Sequence, residues 1–431
     1  MKLEQIKRFL TNKFFQNTSW MVFAQIYQMV ISLFIGVISA RYLGPSNYGT
    51  INYAASYISF FTIFCALGLE GIVVREIISK REQEGIILGS GIIMRLIAGV
   101  LSMVAVCIIV YFLNSDDHIL LVVTFLQSII LPINAFNLID MWYQSNLNSK
   151  VSTIIRCISY TVMSLYKVFL LITGKSVEWF AFSTALDSLL IAIMFMIMYR
   201  KQGKRKLEFD LQTSKQLLRK SYHLIISTMM AVLYSQMDRV MIGKMMTQTD
   251  VGYYTAAATI CNMWVFIPQA FANSARPVIM EVQEHNKSLY IKRLKQLSGF
   301  IFWIGVLFSI AFTVLADFII LVLYGNAYMM AKGPLVILIW STVFSSLSYP
   351  RSIWMICENK QNYTKHILIW GVIINLILNY YGIKYYGIMG AAVATLFTEM
   401  VTCLIAPTFY KETRIYVRYL IESFLGKGIL K

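Results

Sequence analysis

The chain has 431 residues, of which 58% are hydrophobic and only 14% are charged, and its formal net charge is +17. Soluble proteins carry about 25% charged residues, so this composition excludes an ordinary water-soluble globular protein. The basic residues lie in short loops between apolar runs, which argues against a nucleic-acid partner and indicates loops that set a membrane topology.

Apolar runs of about 20 residues recur along the whole chain, and each is long enough to cross the hydrocarbon core as a helix. They predict an all-α integral membrane protein with about twelve transmembrane helices. The first six spans are expected at 18–40, 50–73, 86–113, 118–141, 151–173 and 177–199. The second six are expected at 222–243, 251–275, 297–323, 334–357, 365–383 and 387–410.

These spans predict an N-terminal six-helix bundle (1–200), a basic cytoplasmic linker (201–221) and a C-terminal six-helix bundle with a short cytoplasmic tail (222–431). On this map 27 of the 38 Lys and Arg residues fall in the two termini and in the loops after even-numbered spans, and five fall in the opposite loops. The bias predicts that both termini are cytoplasmic.

A weak internal repeat relates the two halves. Gly49, after the first span, aligns with Gly252, after the seventh. A proline and an acidic residue also recur at one spacing in the fourth and tenth spans: Pro132 with Asp140, and Pro350 with Glu358. Because six spans separate the copies, the repeat is parallel, an arrangement that places transporter sites between halves.

Charged residues within the spans are candidates for a substrate cavity, because each costs about 2.5–3.5 kcal/mol to insert and therefore faces protein or water. Arg95 is flanked at helical spacing by Gly91 and Gly99, and this face would admit a diphosphate or an acidic sugar. The alternative for Arg95 is a structural ion pair or helix packing. Further cationic candidates are Arg239, Arg351, Lys167 and Arg156, the last of which could instead snorkel to the interface.

Polar residues also recur on single helix faces, often beside a proline. This pattern favours a pore lining over simple helix–helix hydrogen bonds, which remain the alternative. The candidates are Gln28, Asn134, Asn137, Asn262, Gln269 and Asn273. Three acidic residues are candidates for proton or cation coupling, with structural pairing as the alternative: Asp187, Asp238 and Glu399. No catalytic group, metal site or cofactor is expected.

The string ARYLGPSNYG (Ala40–Gly49) resembles a signature of bacterial polysaccharide flippases, the oligosaccharide exporters of the multidrug/oligosaccharidyl-lipid/polysaccharide superfamily. Three looser matches extend the resemblance over both halves: GLEGIVVREIISK (Gly68–Lys80), DMWYQSNLN (Asp140–Asn148) and DRVMIG with VGYYTAA (Asp238–Gly243, Val251–Ala257).

The resemblance implies two six-helix bundles around a central cavity that opens alternately to each side of a bacterial inner membrane. It implies a cargo of oligosaccharide repeat units on undecaprenyl diphosphate, used for surface polysaccharide such as O-antigen or capsule. A polysaccharide polymerase is a further partner expected. Independently of the resemblance, the basic cytoplasmic loop between the halves is expected to contact anionic membrane lipid and to help gather cargo. Two alternatives remain open, a cation-coupled multidrug exporter and a peptidoglycan-precursor flippase of the same superfamily.

Overall fold

The computed structural model describes residues 13–203 and 205–426, and within these ranges every regular element is helical. The first α-helices are α1 (Lys13–Ala66), α2 (Leu69–Ser79), α3 (Glu84–Leu113), α4 (His118–Ser128), α5 (Ile130–Ile133), α6 (Leu138–Ser145), α7 (Ser149–Ile172) and α8 (Val177–Gln202). They are followed by α9 (Leu211–Met245), α10 (Gln248–His285), α11 (Lys287–Val314), α12 (Ala316–Leu323), α13 (Lys332–Ser346), α14 (Ser348–Cys357), α15 (Asn362–Met400) and α16 (Arg414–Phe424).

The predicted multi-pass helical architecture is confirmed. Among the described residues, eight helical segments are long and apolar enough to cross a membrane. Two of them, Val22–Ser79 with 58 residues and Asn362–Phe409 with 48, each contain two predicted spans. The remaining two predicted spans correspond to α9 and α10, which have 35 and 38 residues.

Two glycines break the longest helices, one in the loop predicted after the first span and one at the predicted start of the twelfth span. Helix α1 changes direction at Gly44 (φ 72°, ψ 169°), and α15 at Gly387 (φ 60°, ψ −141°). Positive φ is readily adopted by glycine because it has no Cβ. Each break therefore separates two spans without a long loop.

The contacts divide the chain into two compact units that differ from the predicted domains. The first unit takes the chain up to Leu43 and from Tyr53 to Met229, and the second takes Gly44–Asn52 and the chain from Met230 onward. The signature turn after the first span therefore packs with the second half, and the start of α9 packs with the first half.

The predicted linker at 201–221 is also largely structured, because α9 already begins at Leu211. Asp210 caps this helix by accepting a hydrogen bond of 2.6 Å from the backbone N–H of Thr213. Hydrogen bonds from the side chain and backbone of Thr213 hold the pKa of Asp210 below its ordinary value.

The predicted C-terminal tail likewise contains a helix that the sequence analysis missed. Helix α16 buries Tyr416 and Leu420 and packs against α11. The ring of Phe424 stacks on Phe302 with the centroids 4.0 Å apart. Helix α16 has only 11 residues. Its apolar face is therefore too short for the sequence to predict a transmembrane span.

The fourth and tenth spans end in the same helix cap. Leu147 (φ 52°) and Asn359 (φ 55°) are both left-handed. In each cap the left-handed residue bonds to the carbonyl three positions earlier, and the next N–H bonds to the carbonyl five positions earlier. This is a Schellman motif, and it aligns Trp142 with Trp354.

The predicted pairing of Asp140 with Glu358 is therefore out of register by six positions. The two prolines occupy different places in their spans. Pro132 lies in the four-residue helix α5, ahead of a 3-10 turn, whereas Pro350 lies in the first turn of α14. Proline is tolerated in a first turn because its N–H is not needed there, so equal spacing from the prolines was coincidental.

Candidate functional site

A polar cavity of about 300 Å³ lies inside the first unit. Helix α1 contributes Gln28 and Ser32, α7 contributes Tyr160 and Lys167, and α8 contributes Asp187. Further hydroxyls come from Ser164, Ser183, Thr184 and Ser188. Three of the predicted site residues are thus brought together in one chamber.

Lys167 and Asp187 give this chamber one charge of each sign. Ser159 donates a hydrogen bond of 2.5 Å to Asp187 Oδ1, which fixes the carboxylate. Lys167 Nζ makes no hydrogen bond and no ion pair with any described residue. Its ammonium interacts electrostatically with Asp187 but makes no direct contact that a ligand in the chamber would have to displace.

Arg156 lies in α7, four positions before the chamber residue Tyr160, and is engaged in an ion pair. Its Nη2 lies 2.9 Å from Oδ2 of the buried Asp140, and its guanidinium lies 5.8 Å from the centroid of the Phe195 ring. The pair joins α7 to α6, and each charge offsets the cost of burying the other.

Arg95 braces the break between α1 and α2. Its Nε donates to the carbonyl of Cys65 at 3.3 Å, near the end of α1, and its Nη2 lies 3.5 Å from Glu70 Oε1 in α2. The side chain is 3% exposed, and Nη1 has no partner among the described residues.

The glycines beside Arg95 serve helix packing and not the approach of a ligand. A Cβ at Gly99 would lie 2.5 Å from Pro132 Cα, and one at Gly91 would lie 2.9 Å from Leu138 Cδ1. The groove that these glycines open is therefore filled by the fourth span, and a cargo contact at Arg95 stays a prediction.

Asn134 and Asn137 pair with each other on the 3-10 turn that follows α5. Asn137 Nδ2 donates to Asn134 Oδ1 at 3.1 Å. Both side chains are half-buried.

In the second unit Asp238 joins three helix segments. Its carboxylate accepts hydrogen bonds from Tyr254 Oη (2.6 Å, α10), Asn379 Nδ2 (2.7 Å, first part of α15) and Thr395 Oγ1 (2.7 Å, second part of α15). Asp238 was predicted as a coupling residue from the sequence, but these three partners were not. The spacing of Asn375 and Asn379 on one face of an apolar span was a usable signal.

Buried acceptors without partners adjoin this cluster. The Oδ1 atoms of Asn375 and Asn379 are inaccessible to solvent and bond to no described residue. Leaving such a group unpaired costs about 1–3 kcal/mol. Unpaired oxygens beside a carboxylate suit a small cation, which prefers oxygen ligands.

Arg351 and Glu399 lie around an irregular turn of the same unit. Residues Val401–Ile405 form a π-helical turn. Arg351 Nη1 donates to the carbonyl of Thr402 at 2.6 Å, and Arg351 interacts electrostatically with Glu399. Such turns leave carbonyls unsatisfied and are frequent at functional sites.

The remaining predicted residues lie on α9 and α10. Arg239 is half-buried and donates to Gln236 at 3.2 Å. On α10, Asn262 and Asn273 are exposed and Gln269 is half-buried. Helices α9 and α10 are the two predicted spans that are not apolar enough to count among the eight candidate membrane-crossing segments of the described residues. Exposed amides on such helices suit water-filled surroundings better than lipid.

The signature turn packs closely against its repeat copy within the second unit. A Cβ added to Gly49 would lie 1.7 Å from the carbonyl oxygen of Gln248, and a Cβ added to Gly252 would lie 2.1 Å from that of Pro45. The two glycines matched by the repeat are therefore both required for one reciprocal backbone contact, which we call the glycine clasp.

A family model described as polysaccharide biosynthesis protein matches residues 14–283, more than half of the chain. The chain belongs to this family. It is also 25% identical, over 404 residues, to the probable low-salt glycan biosynthesis flippase Agl15 of Haloferax volcanii, covering 91% of this chain and 80% of that protein.

Two solved transporter structures share the fold. One is an inward-facing multidrug resistance MATE family transporter of the MOP superfamily, with a TM-score of 0.73, 14% identity, and coverage of 92% of this chain and 96% of that one. The other is the lipid II flippase MurJ in an inward closed conformation, with a TM-score of 0.67, 15% identity, and coverage of 94% and 90%. At these identities the likeness shows the fold alone, that of a multi-pass helical membrane protein.

Proposed function

We propose that this polysaccharide biosynthesis family member flips an undecaprenyl-diphosphate-linked oligosaccharide repeat unit from the cytoplasmic to the outer leaflet of a bacterial inner membrane. Transport proceeds by alternating access and supplies surface polysaccharide, O-antigen or capsule, to a polymerase on the far side. The observation that carries this proposal is the chamber in the first unit. Its hydroxyls and amide can hydrogen-bond a sugar, and the ammonium of Lys167, which makes no direct hydrogen bond, can bind an anionic group of the cargo.

The polarity of α9 and α10 supports a hydrated path for a glycan. Arg239 and the amides of Asn262, Gln269 and Asn273 would be costly in lipid, and water or sugar hydroxyls satisfy them. An exporter of apolar drugs would have less need of so many hydrogen-bonding groups.

We also assign Asp238 as the coupling-cation site. Its carboxylate, the unpaired Oδ1 of Asn379 and the hydroxyl of Thr395 can surround a sodium ion with oxygen, and binding there would tie both parts of α15 to α9 and α10. Asp187, fixed by Ser159, and Glu399, near Arg351, are the other acidic groups proposed for coupling.

The first test is to delete the gene in its host and complement it with wild type, Lys167→Ala or Lys175→Ala. Lys175 is an exposed loop lysine and serves as the matched control. We expect wild type and Lys175→Ala to restore surface polymer. Lys167→Ala should restore little at equal membrane level and should leave repeat units in the cytoplasmic leaflet.

Normal polymer and normal repeat-unit distribution in the deletion strain, with no second flippase present, would refute glycan flipping and favour a drug exporter. Loss of cell-wall precursor transport would instead favour the peptidoglycan-precursor alternative. For the cation site, sodium should raise the unfolding temperature of the wild type but not that of Asp238→Asn. Asp317→Asn is the control, because Asp317 is exposed and pairs with Lys332. An equal response to sodium in Asp238→Asn would remove the assignment.

A further inference from the structure

The segment between α8 and α9 is fixed to the first unit. We call residues 205–210 the strap. The N–H of Glu208 donates to the carbonyl of Gly85 at 3.3 Å, and the N–H of Asp210 donates to Ser90 Oγ at 3.0 Å. Tyr199 Oη donates to the carbonyl of Arg205 at 3.0 Å. Both ends of the strap are thus bonded to the unit.

Two glycines at the start of α3 make room for the strap backbone. A Cβ at Gly85 would lie 2.1 Å from the carbonyl oxygen of Lys206, and one at Gly89 would lie 2.3 Å from that of Glu208. Ser90, at the end of this groove, is fully buried. The backbone of the strap is therefore seated in a groove. Leu207 packs against the core of the first unit, whereas Arg205, Lys206, Glu208 and Phe209 are exposed.

The outward face combines basic and apolar side chains. Arg205 and Lys206 on the strap are exposed, as are Lys215 and Arg219 at the start of α9. Exposed apolar side chains lie between them in sequence: Phe209 at 50%, Leu211 at 59% and Leu218 at 42%. We call this surface the basic face.

Few carboxylates offset these charges. Glu208 is exposed, whereas Asp210 is occupied as the cap of α9. The nearby Glu76 is already paired with Lys220 at 2.6 Å. The basic face therefore keeps a net positive charge and lies beside helices that cross the membrane.

We propose that the basic face binds anionic phospholipid headgroups of the leaflet next to it, with Phe209 and Leu211 entering the acyl region. Mixed basic and apolar side chains are typical of surfaces that lie at a lipid interface, and clustered Lys and Arg next to a membrane attract anionic lipid. A nucleic acid would give no role to the exposed apolar residues. This lipid site is separate from the cargo chamber and goes beyond the proposed function.

The test uses the full-length chain purified in detergent and titrated with phosphatidylglycerol or phosphatidylcholine. Wild type should bind phosphatidylglycerol more tightly. Arg205→Gln with Lys206→Gln should weaken that binding about twentyfold, because each charge near the surface contributes about fivefold. The matched control is Lys287→Gln with Arg293→Gln, two exposed basic residues on the side predicted to be cytoplasmic, which should bind like wild type.

Equal binding of the two lipids by wild type, or an unchanged affinity in the double variant, would overturn the proposal. Displacement of phosphatidylglycerol by inorganic diphosphate at equal concentration would also overturn it, in favour of a site for the diphosphate of the cargo. Gly89→Val should displace the strap and lose the lipid preference with every basic residue present. Retention of the preference in that variant would refute the need for the groove.

Discussion

Substitution of Gly49 by alanine tests the glycine clasp most directly. The new Cβ would lie 1.7 Å from the carbonyl oxygen of Gln248, 2.6 Å from its carbonyl carbon and 2.9 Å from the N of Gly252. All three distances are shorter than the 3.4 Å at which ordinary van der Waals contact begins. All three neighbours are backbone atoms, so a side-chain rotation cannot relieve the overlap.

We expect Gly49→Ala to lower the free energy of unfolding by about 3 kcal/mol, the upper end of the usual cost of overpacking. For a unit of roughly 200 residues this corresponds to a fall of about 6–12 °C in the unfolding temperature. The assay is thermal unfolding of the purified chain in detergent, monitored by loss of the monodisperse peak in size-exclusion chromatography.

Gly36→Ala is the matched control, because Gly36 is also helical and a Cβ there would meet no atom within 4 Å. That variant should unfold at or slightly above the wild-type temperature, since alanine favours a helix over glycine by up to about 1 kcal/mol. A Gly49→Ala chain that unfolds with the wild type would refute the close backbone contact.

Two further predictions concern buried and interfacial carboxylates. Trp142→Phe removes the 2.9 Å hydrogen bond from the indole to the buried Glu84 and should cost about 2–3 kcal/mol in thermal unfolding; the exposed Trp303→Phe should cost little, and equal effects would contradict this role. Hydrogen bonds led by Lys295 hold the pKa of Glu422 below its ordinary value, so its stabilising contribution is present at neutral pH and is lost as the pH falls through the lowered pKa. Glu422→Gln should therefore be less stable than wild type at pH 7, and the gap should close below pH 4.5; a gap that persists in acid would refute the linkage.

The helical architecture was predictable because apolar length alone determines which segments can span a bilayer. Most predicted span ends agree with the helices to within a few residues, as for 86–113 and Glu84–Leu113. Ordered segments were missed where the sequence is not apolar. The strap and the amphipathic α16 are polar enough to resemble loops, and only their contacts order them.

The polar site was predictable one residue at a time but not as an arrangement. Lys167, Asp187 and Asp238 stand out in apolar spans because an unpaired charge there is costly. Their partners do not stand out, since Thr395 is 157 positions from Asp238 and threonine is ordinary in a membrane helix. At Arg95 the sequence predicted a close approach correctly but not the approaching group. The glycine spacing indicates that something packs closely there, and the structure shows that it is the fourth span.

The shared helix cap and the glycine clasp together locate where the two halves differ in length. Gly49 and Gly252 are 203 positions apart, as are the starts of α3 and α11, whereas Trp142 and Trp354 are 212 apart. The second half is therefore nine residues longer over this whole stretch, and its connection from α11 to α13 is longer than the short turn from Leu113 to His118 in the first half. The enlarged segment carries Tyr324 and Tyr328, whose rings contact that of Tyr48 in the signature turn. This longer segment therefore places an aromatic cover over the glycine clasp.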